Sequence, residues 1–179
     1  MTHSLGTLRT LCLIALFCIA LPFVAQTAHP PAPSLLNRTE AAAILPDKVF
    51  FRGQSATIQG RNSAGLRMAD GKLVLFTVVD TSGYSSAIQQ AYQAYLLTEV
   101  PLHIGDHTLP PGAYGFGFVE NNRMVVMDLG GNELFRTATT HDDAIARPTP
   151  LQLLPQPGSP DHYRLYLGRT YVVLTATAK

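Results

Sequence analysis

The stretch AYGFGFVENNRMVVMDL, Ala113–Leu129, decides the fold class. Large apolar residues alternate with glycine from Tyr114 to Phe118, two asparagines follow, and an apolar run resumes at Met124. A period of two marks a strand, because successive side chains of an extended chain point to opposite faces. Asn121-Asn122 tolerates the positive φ of a tight reversal, so the two runs read as a β-hairpin. A two-residue turn would set Glu120 opposite Arg123 as a charge pair. It would also gather Tyr114, Phe116 and Phe118 on one side with Val125, Met127 and Leu129. The other side would carry Gly115, Gly117 and Val119 with Met124, Val126 and Asp128. The aromatic side reads as core. On the glycine side nothing projects, so either a neighbouring chain segment or a bound ligand can approach closely, and a packed segment is the simpler account.

The same punctuation recurs along the chain. Asp70-Gly71 lies between AGLRMA and KLVLFTVV, which predicts a type I′ turn pairing Ala69 with Lys72 and Leu66 with Leu75. In HIGDH, Gly105-Asp106 as a hairpin centre would pair Ile104 with His107 and His103 with Thr108. Gly130–Asn132 reverses the chain into ELFRTAT, and Gly168-Arg169 places Tyr166 across from Tyr171. KVFFRGQSATIQ opens this region. LQLLP, bracketed by the proline-rich connectors Arg147–Pro150 and Pro155–Pro160, reads as an edge strand, since proline cannot donate to a sheet ladder. The expectation is a mainly β, antiparallel β-sandwich or small barrel of about nine short strands. Two helical pieces accompany it. Leu35–Leu45 (LLNRTEAAAIL), stopped by Pro46, would cap an open end of the β structure. A brief crossover helix through Ala87–Ala94 would lay Ile88, Tyr92 and Tyr95 on one apolar stripe.

The N-terminus reads as an export signal. MTHSLGTLR carries Arg9 and no acid, an apolar run of about sixteen residues follows, and small residues come next. A spanning helix needs about twenty apolar residues, so an uncleaved anchor is the weaker reading. Cleavage is placed between Ala25 and Ala28, residues 1–28 being removed. Both cysteines, Cys12 and Cys18, fall in that segment, which leaves a chain without disulfides. Neither is preceded by the small residue that lipid modification requires. Residues 29–46 then form a Pro-rich tether (His29–Ser34) and the short helix, and 47–179 a single β-domain. The chain is expected in the periplasm or outside the cell, with no membrane-spanning segment after processing.

Setting Arg9 aside leaves 12 basic residues against 12 acids, with no run of Lys or Arg. A surface that tracks phosphates needs clustered cations, so nucleic acid is not an expected partner. The same absence argues against an electrostatic membrane patch.

Chemistry can be sought in four places. GYSSA (Gly83–Ala87), between a β-branched run and a helical segment, resembles the turn that presents a serine nucleophile, and Asp128, Asp142 and His162 follow in the order a triad needs. Yet Ala87 stands where glycine belongs, and the chain lacks the several helices of a parallel α/β sheet. DTSGYSS then reads as a polar turn. His103 or His107 with His141 could bind metal, but no ligand spacing is present, and the HIGDH hairpin would aim its two histidines at opposite faces. Asp142 and Asp143 more simply start the segment DDAIAR as N-terminal charges. Arg61, with Asn62 and Ser63 in the glycine-flanked turn QGRNSAG, could grip a carboxylate through both guanidinium arms or form a salt bridge within the domain. Sugar-binding platforms rely on exposed aromatic faces, and the chain has no Trp.

The segment TEVPLHIGDHTLPPGAYGFGFV, Thr98–Val119, resembles small exported bacterial proteins of unknown function. Its LPPGAY element is similar to Pro-Gly corners of secreted β-sandwich domains. The resemblance extends over about Asp47–Ala176 and implies a compact exported β-domain. It implies no catalytic or binding residue.

These readings converge on an exported non-catalytic module that binds a small molecule, a peptide or an envelope component and needs no cofactor. Its rim would be formed by the loops carrying Arg61 and Asn62, Ser82, Tyr84 and Ser85, and His141 and Asp142. The rival is a small secreted hydrolase using Ser85 or a histidine-bound metal.

Overall fold

A computed structural model describes residues 33–177. The stretch read as an export signal, most of the expected tether and both cysteines lie outside the described residues. The elements begin with β1 (Ser34–Leu36), α1 (Arg38–Ile44), β2 (Lys48–Phe51), β3 (Gln54–Arg67) and β4 (Leu73–Val79). They continue through α2 (Ser86–Ala91), β5 (Ala94–Thr98), β6 (Leu102–Ile104), β7 (His107–Leu109) and β8 (Gly112–Val119). The remainder are β9 (Arg123–Met127), β10 (Glu133–Ala138), β11 (Thr140–His141), β12 (Leu151–Gln156), β13 (Ser159–Leu167) and β14 (Thr170–Ala176).

Two antiparallel sheets form a β-sandwich, and neither closes into a barrel. The first has the order β1-β3-β4-β5-β8-β9-β10, with β2 on the first part of β3. The second has the order β12-β13-β14-β6-β7, with β11 on β14. LQLLP is indeed an edge, since β12 pairs only with β13. The chain changes sheets between β5 and β6, between β7 and β8, and between β10 and β11. The second of these crossings is the LPPGAY corner. There the Tyr114 hydroxyl donates to the Pro110 carbonyl at 2.9 Å, and the ring lies so close over Gly112 that a Cβ would sit 2.8 Å from the phenolic oxygen.

Alternation sorts the side chains into layers. Leu66, Val74, Phe76, Leu96, Phe116, Met124 and Val126 of the first sheet meet Leu102, Ile104, Leu153, Leu165, Val172 and Leu174 of the second. The outer face of the first sheet is also covered. On it, Phe51 stacks on Tyr92 with centroids 3.8 Å apart, Tyr84 packs edge-on, and Val125 and Met127 complete the cluster. Here lies the glycine side of β8. A Cβ on Gly115 would come within 2.6 Å of the Phe51 ring, and one on Gly117 would run into the Ala91 carbonyl. The packed chain segment is therefore what the glycines admit. Farther along that face, Leu36, Ala41 and Leu45 pack on Leu75, Leu73 and Leu97. Helix α1 starts in a capping box, Asn37 accepting from the Glu40 amide while Glu40 accepts from the Asn37 amide.

Several expectations need correction. The chain joins the first sheet at Ser34, so Ser34–Leu36 is strand, and α1 lies against the sheet face instead of capping an end. The 70–71 and 121–122 reversals are three-residue loops, which shifts each register by one: Leu66 pairs with Val74, and Val119 with Arg123. At the first, Met68 and Lys72 close the loop and Gly71 takes φ +87°, a type I turn ending in a left-handed glycine. At the second, Tyr114, Phe116 and Phe118 therefore share their face with Met124 and Val126, and Glu120 does not oppose Arg123. The HIGDH and Gly168-Arg169 pairings match the expected registers. KVFFRGQSATIQ is itself a hairpin, turning at Arg52-Gly53 with both residues at positive φ. Pro155–Pro160 is no extended connector, because Gln156 pairs with Ser159 around Pro157-Gly158. The crossover helix ends at Ala91, and Tyr95 reaches the same cluster as Tyr92 from β5.

Candidate functional site

The residues expected on one rim are dispersed. Arg61 and Asn62 do not sit in a turn. They lie inside β3, where the pairing with β4 slips between Ile58 and Ser63, and the bulged backbone carries both side chains out of the ladder. Ser63 is buried just beyond the bulge and donates to Thr77 Oγ1 at 2.8 Å, which fixes the far end of the irregular stretch.

Tyr84 is a core residue. Its hydroxyl is shared between the Phe51 carbonyl at 3.0 Å and the Gln54 carbonyl at 3.2 Å, tying the crossover loop to the β2–β3 hairpin. Burial pushes its phenol above the usual range. Ser82 is exposed, and its amide donates to the Asp80 carboxylate. Ser85 precedes α2 as an exposed residue whose side chain makes no capping bond. No hydrogen bond joins Ser85 to a histidine or an acid among the described residues, and the surrounding sheet is antiparallel, not the parallel sheet that the elbow requires.

His141 sits at the end of β11 with Nε2 3.1 Å from Asp143 Oδ1. The DDAIAR segment is a turn, not a helix start. Asp142 belongs to a network on the outer face of the second sheet. Its carboxylate accepts from the Tyr166 hydroxyl at 2.8 Å and from the Ala144 amide at 3.0 Å, with Arg164 Nη1 at 3.6 Å. The Tyr166 bond foremost, then the Ala144 amide and the nearby positive charges, holds its carboxyl below the ordinary value. Arg164 in turn lies 4.6 Å over the Tyr171 ring and donates to Gln156. These partners satisfy one another, so the network staples the long β11–β12 connection to the sheet.

Among the described residues, no three His, Cys, Asp or Glu side chains form a group that could hold a metal ion. His103 Nδ1 is 2.9 Å from Thr108 Oγ1, while His107 stacks on Phe135 at 4.3 Å on the other face.

What the fold does build around a predicted residue is a groove beside Arg61. One wall is the β3 bulge with Arg61 and Asn62. A second wall is the turn from β1 into α1, with Asn37 and Arg38. The third is the edge strand β12 and its approach, with Thr149 and Gln152. The floor is apolar: Leu36, Ala64, Leu151 and Leu153 are all buried. The volume is about 360 Å³, within the roughly 300–1,000 Å³ of small-molecule sites. Two arginines line it, no Asp or Glu does, and neither arginine has an ion-pair or hydrogen-bond partner among the described residues. The salt bridge considered for Arg61 is thus not formed there.

Arg38 and Gln152 escaped sequence reasoning. The Asn37–Glu40 capping box was the available signal for Arg38, since it fixes the helix start and so the position of its first residue. Nothing local marks Gln152, which enters the groove only because β12 lies alongside β3 at the sandwich edge. No known protein family matches the chain, and no curated protein or solved structure shows significant similarity to it.

Proposed function

We propose that this chain is an exported, non-catalytic β-sandwich module that holds a small molecule or a short peptide in the groove between α1, the β3 bulge and β12. The observation that carries this reading is the bulge. A 14-residue strand gives up its pairing between Ile58 and Ser63, and the polar side chains freed there, Arg61 and Asn62, border a groove with a buried apolar floor. Irregular pairing in an otherwise regular strand re-aims side chains where function needs them. A buried apolar floor beneath a polar rim gives a small ligand both a surface to cover and groups that orient it. The export assignment rests on the apolar N-terminal segment and its small residues at 25–28. No helix among the described residues is long and apolar enough to cross a membrane. The non-catalytic assignment rests on Ser85, whose hydroxyl has no hydrogen bond to a histidine or acid among the described residues, and on the placement of His103 and His107 on opposite faces.

A thermal-shift screen of small molecules and short peptides tests the reading. A compound bound to the folded state alone raises the melting temperature by mass action. Compounds that stabilise the protein should lose that effect in Asn62→Trp, where an indole fills the groove from a half-buried wall position. Equal stabilisation of both proteins, or no active compound, would contradict it.

A further inference from the structure

We infer that the groove takes a small organic carboxylate with an apolar body, an inference that rests on the binding reading just given. Arg38 and Arg61 border one groove from two different elements, the start of α1 and the bulge of β3. The same two residues also border the adjoining groove at Ala42, Ala43 and Gly60, so they flank the ridge where helix and strand meet. The contact is close there: a Cβ on Gly60 would lie 3.3 Å from the Ala42 Cβ. Both arginines are exposed. No Asp or Glu lines either groove, and no acid pairs with either arginine among the described residues. Both guanidinium forks are therefore available to an anionic ligand.

The kind of anion follows from the donors and the floor. A guanidinium presents planar, paired N–H donors that match the two oxygens of a carboxylate, which accepts from both. Inorganic phosphate also matches this fork but has nothing to place on Leu36, Ala64, Leu151 and Leu153. A carboxylate attached to an aliphatic or aromatic body satisfies both halves of the site. Its head would lie between the arginines and its body along the edge strand. Asn62, which also lines the groove, is held by the hydrogen bond its side-chain amide donates to Gln59 Oε1 at 2.8 Å.

Isothermal titration of the purified protein with octanoate, octylammonium, 1-octanol and inorganic phosphate tests the inference. Octanoate should bind at least about tenfold more tightly than octylammonium or octanol, since hydrogen bonds to charged groups contribute that much. Arg61→Gln and Arg38→Gln should each weaken octanoate by about tenfold. Arg61→Lys, which keeps the charge but loses the fork, should recover part of the affinity and guards against a folding defect in the glutamine variants. Equal binding of octanoate and octylammonium, full affinity in the arginine variants, or tighter binding of phosphate than of octanoate would overturn the carboxylate assignment. If Asn62→Trp still blocks whichever probe binds, the groove reading survives that failure. Octanoate that binds Asn62→Trp as well as the parent protein would instead refute the groove itself.

Discussion

Gly117→Ala probes the packing of the whole outer layer with a single methyl group. Gly117 lies in β8 opposite Val125, beneath the end of α2. An added Cβ would overlap the Ala91 carbonyl oxygen, approach its carbonyl carbon to 2.9 Å and approach the Gln93 carboxamide carbon to 3.2 Å. The first obstacle is backbone and cannot rotate away. The second is held at both ends, since Gln93 accepts from the Phe118 amide at 2.9 Å and donates to the Phe118 carbonyl at 3.0 Å. Overpacking of this kind costs about 1–3 kcal/mol. Displacing Gln93 forfeits a further ~0.5–1.5 kcal/mol per hydrogen bond. Lower entropy of the unfolded alanine chain returns about 0.4–1 kcal/mol. The net loss should be about 2–3 kcal/mol, or a fall in Tm of about 5–10 °C at this chain length. Urea unfolding followed by circular dichroism measures it. Gly83→Ala is the matched control, because nothing lies within 4 Å of its Cβ position and its φ is not positive. Wild-type stability in Gly117→Ala, or equal effects of both substitutions, would refute the layered packing described above.

Three further outcomes are expected. Tyr84→Phe should lose about 0.5–1.5 kcal/mol because its hydroxyl holds two carbonyls, whereas Tyr92→Phe should lose nothing, since the buried Tyr92 hydroxyl has no partner among the described residues; urea midpoints of the pair decide this, and equal losses would contradict it. Tyr114→Phe should lose a similar ~0.5–1.5 kcal/mol with an unchanged m-value, as the corner bond to Pro110 is removed without altering the surface buried. Burial raises the phenols of Tyr84, Tyr92, Tyr95, Tyr114, Tyr163 and Tyr166, so the fold favours their protonated forms. That contribution is complete below the unfolded value of about 10 and is lost as pH rises above it. Absorbance at 295 nm should show these phenols titrating above that value while the protein is still folded. Their titration near pH 10 in the folded protein would contradict it.

Fold class was legible because glycine, asparagine and aspartate mark reversals between runs of period two, and these signals are local. Register was less so. Asp70-Gly71 suits both a two-residue I′ turn and a three-residue loop ending in a left-handed glycine, and the choice follows from sheet twist and packing. The alternation at KVFF contained the second apolar layer, with Val49 and Phe51 buried and Phe50 53% exposed, but a strand that covers another sheet looks like any half-buried strand. Tyr84 misled because a polar loop surrounds it, while its amphipathic ring turns inward and finds backbone acceptors there. Arg61 was visible as a cluster of polar residues between glycines. Its companions Arg38 and Gln152 come from other parts of the chain, and the packing of α1 and of β12 against β3 assembles them.

Amide chemical-shift mapping of the purified protein during titration with octanoate tests ligand binding in the groove at the β3 bulge most directly. The largest shifts should fall on Arg38, Asn62, Ala64, Leu151 and Leu153, leaving the His107–Phe135 edge unchanged. Shifts centred on that edge or on the Ser82–Ser85 loop, or no shifts at all, would contradict it.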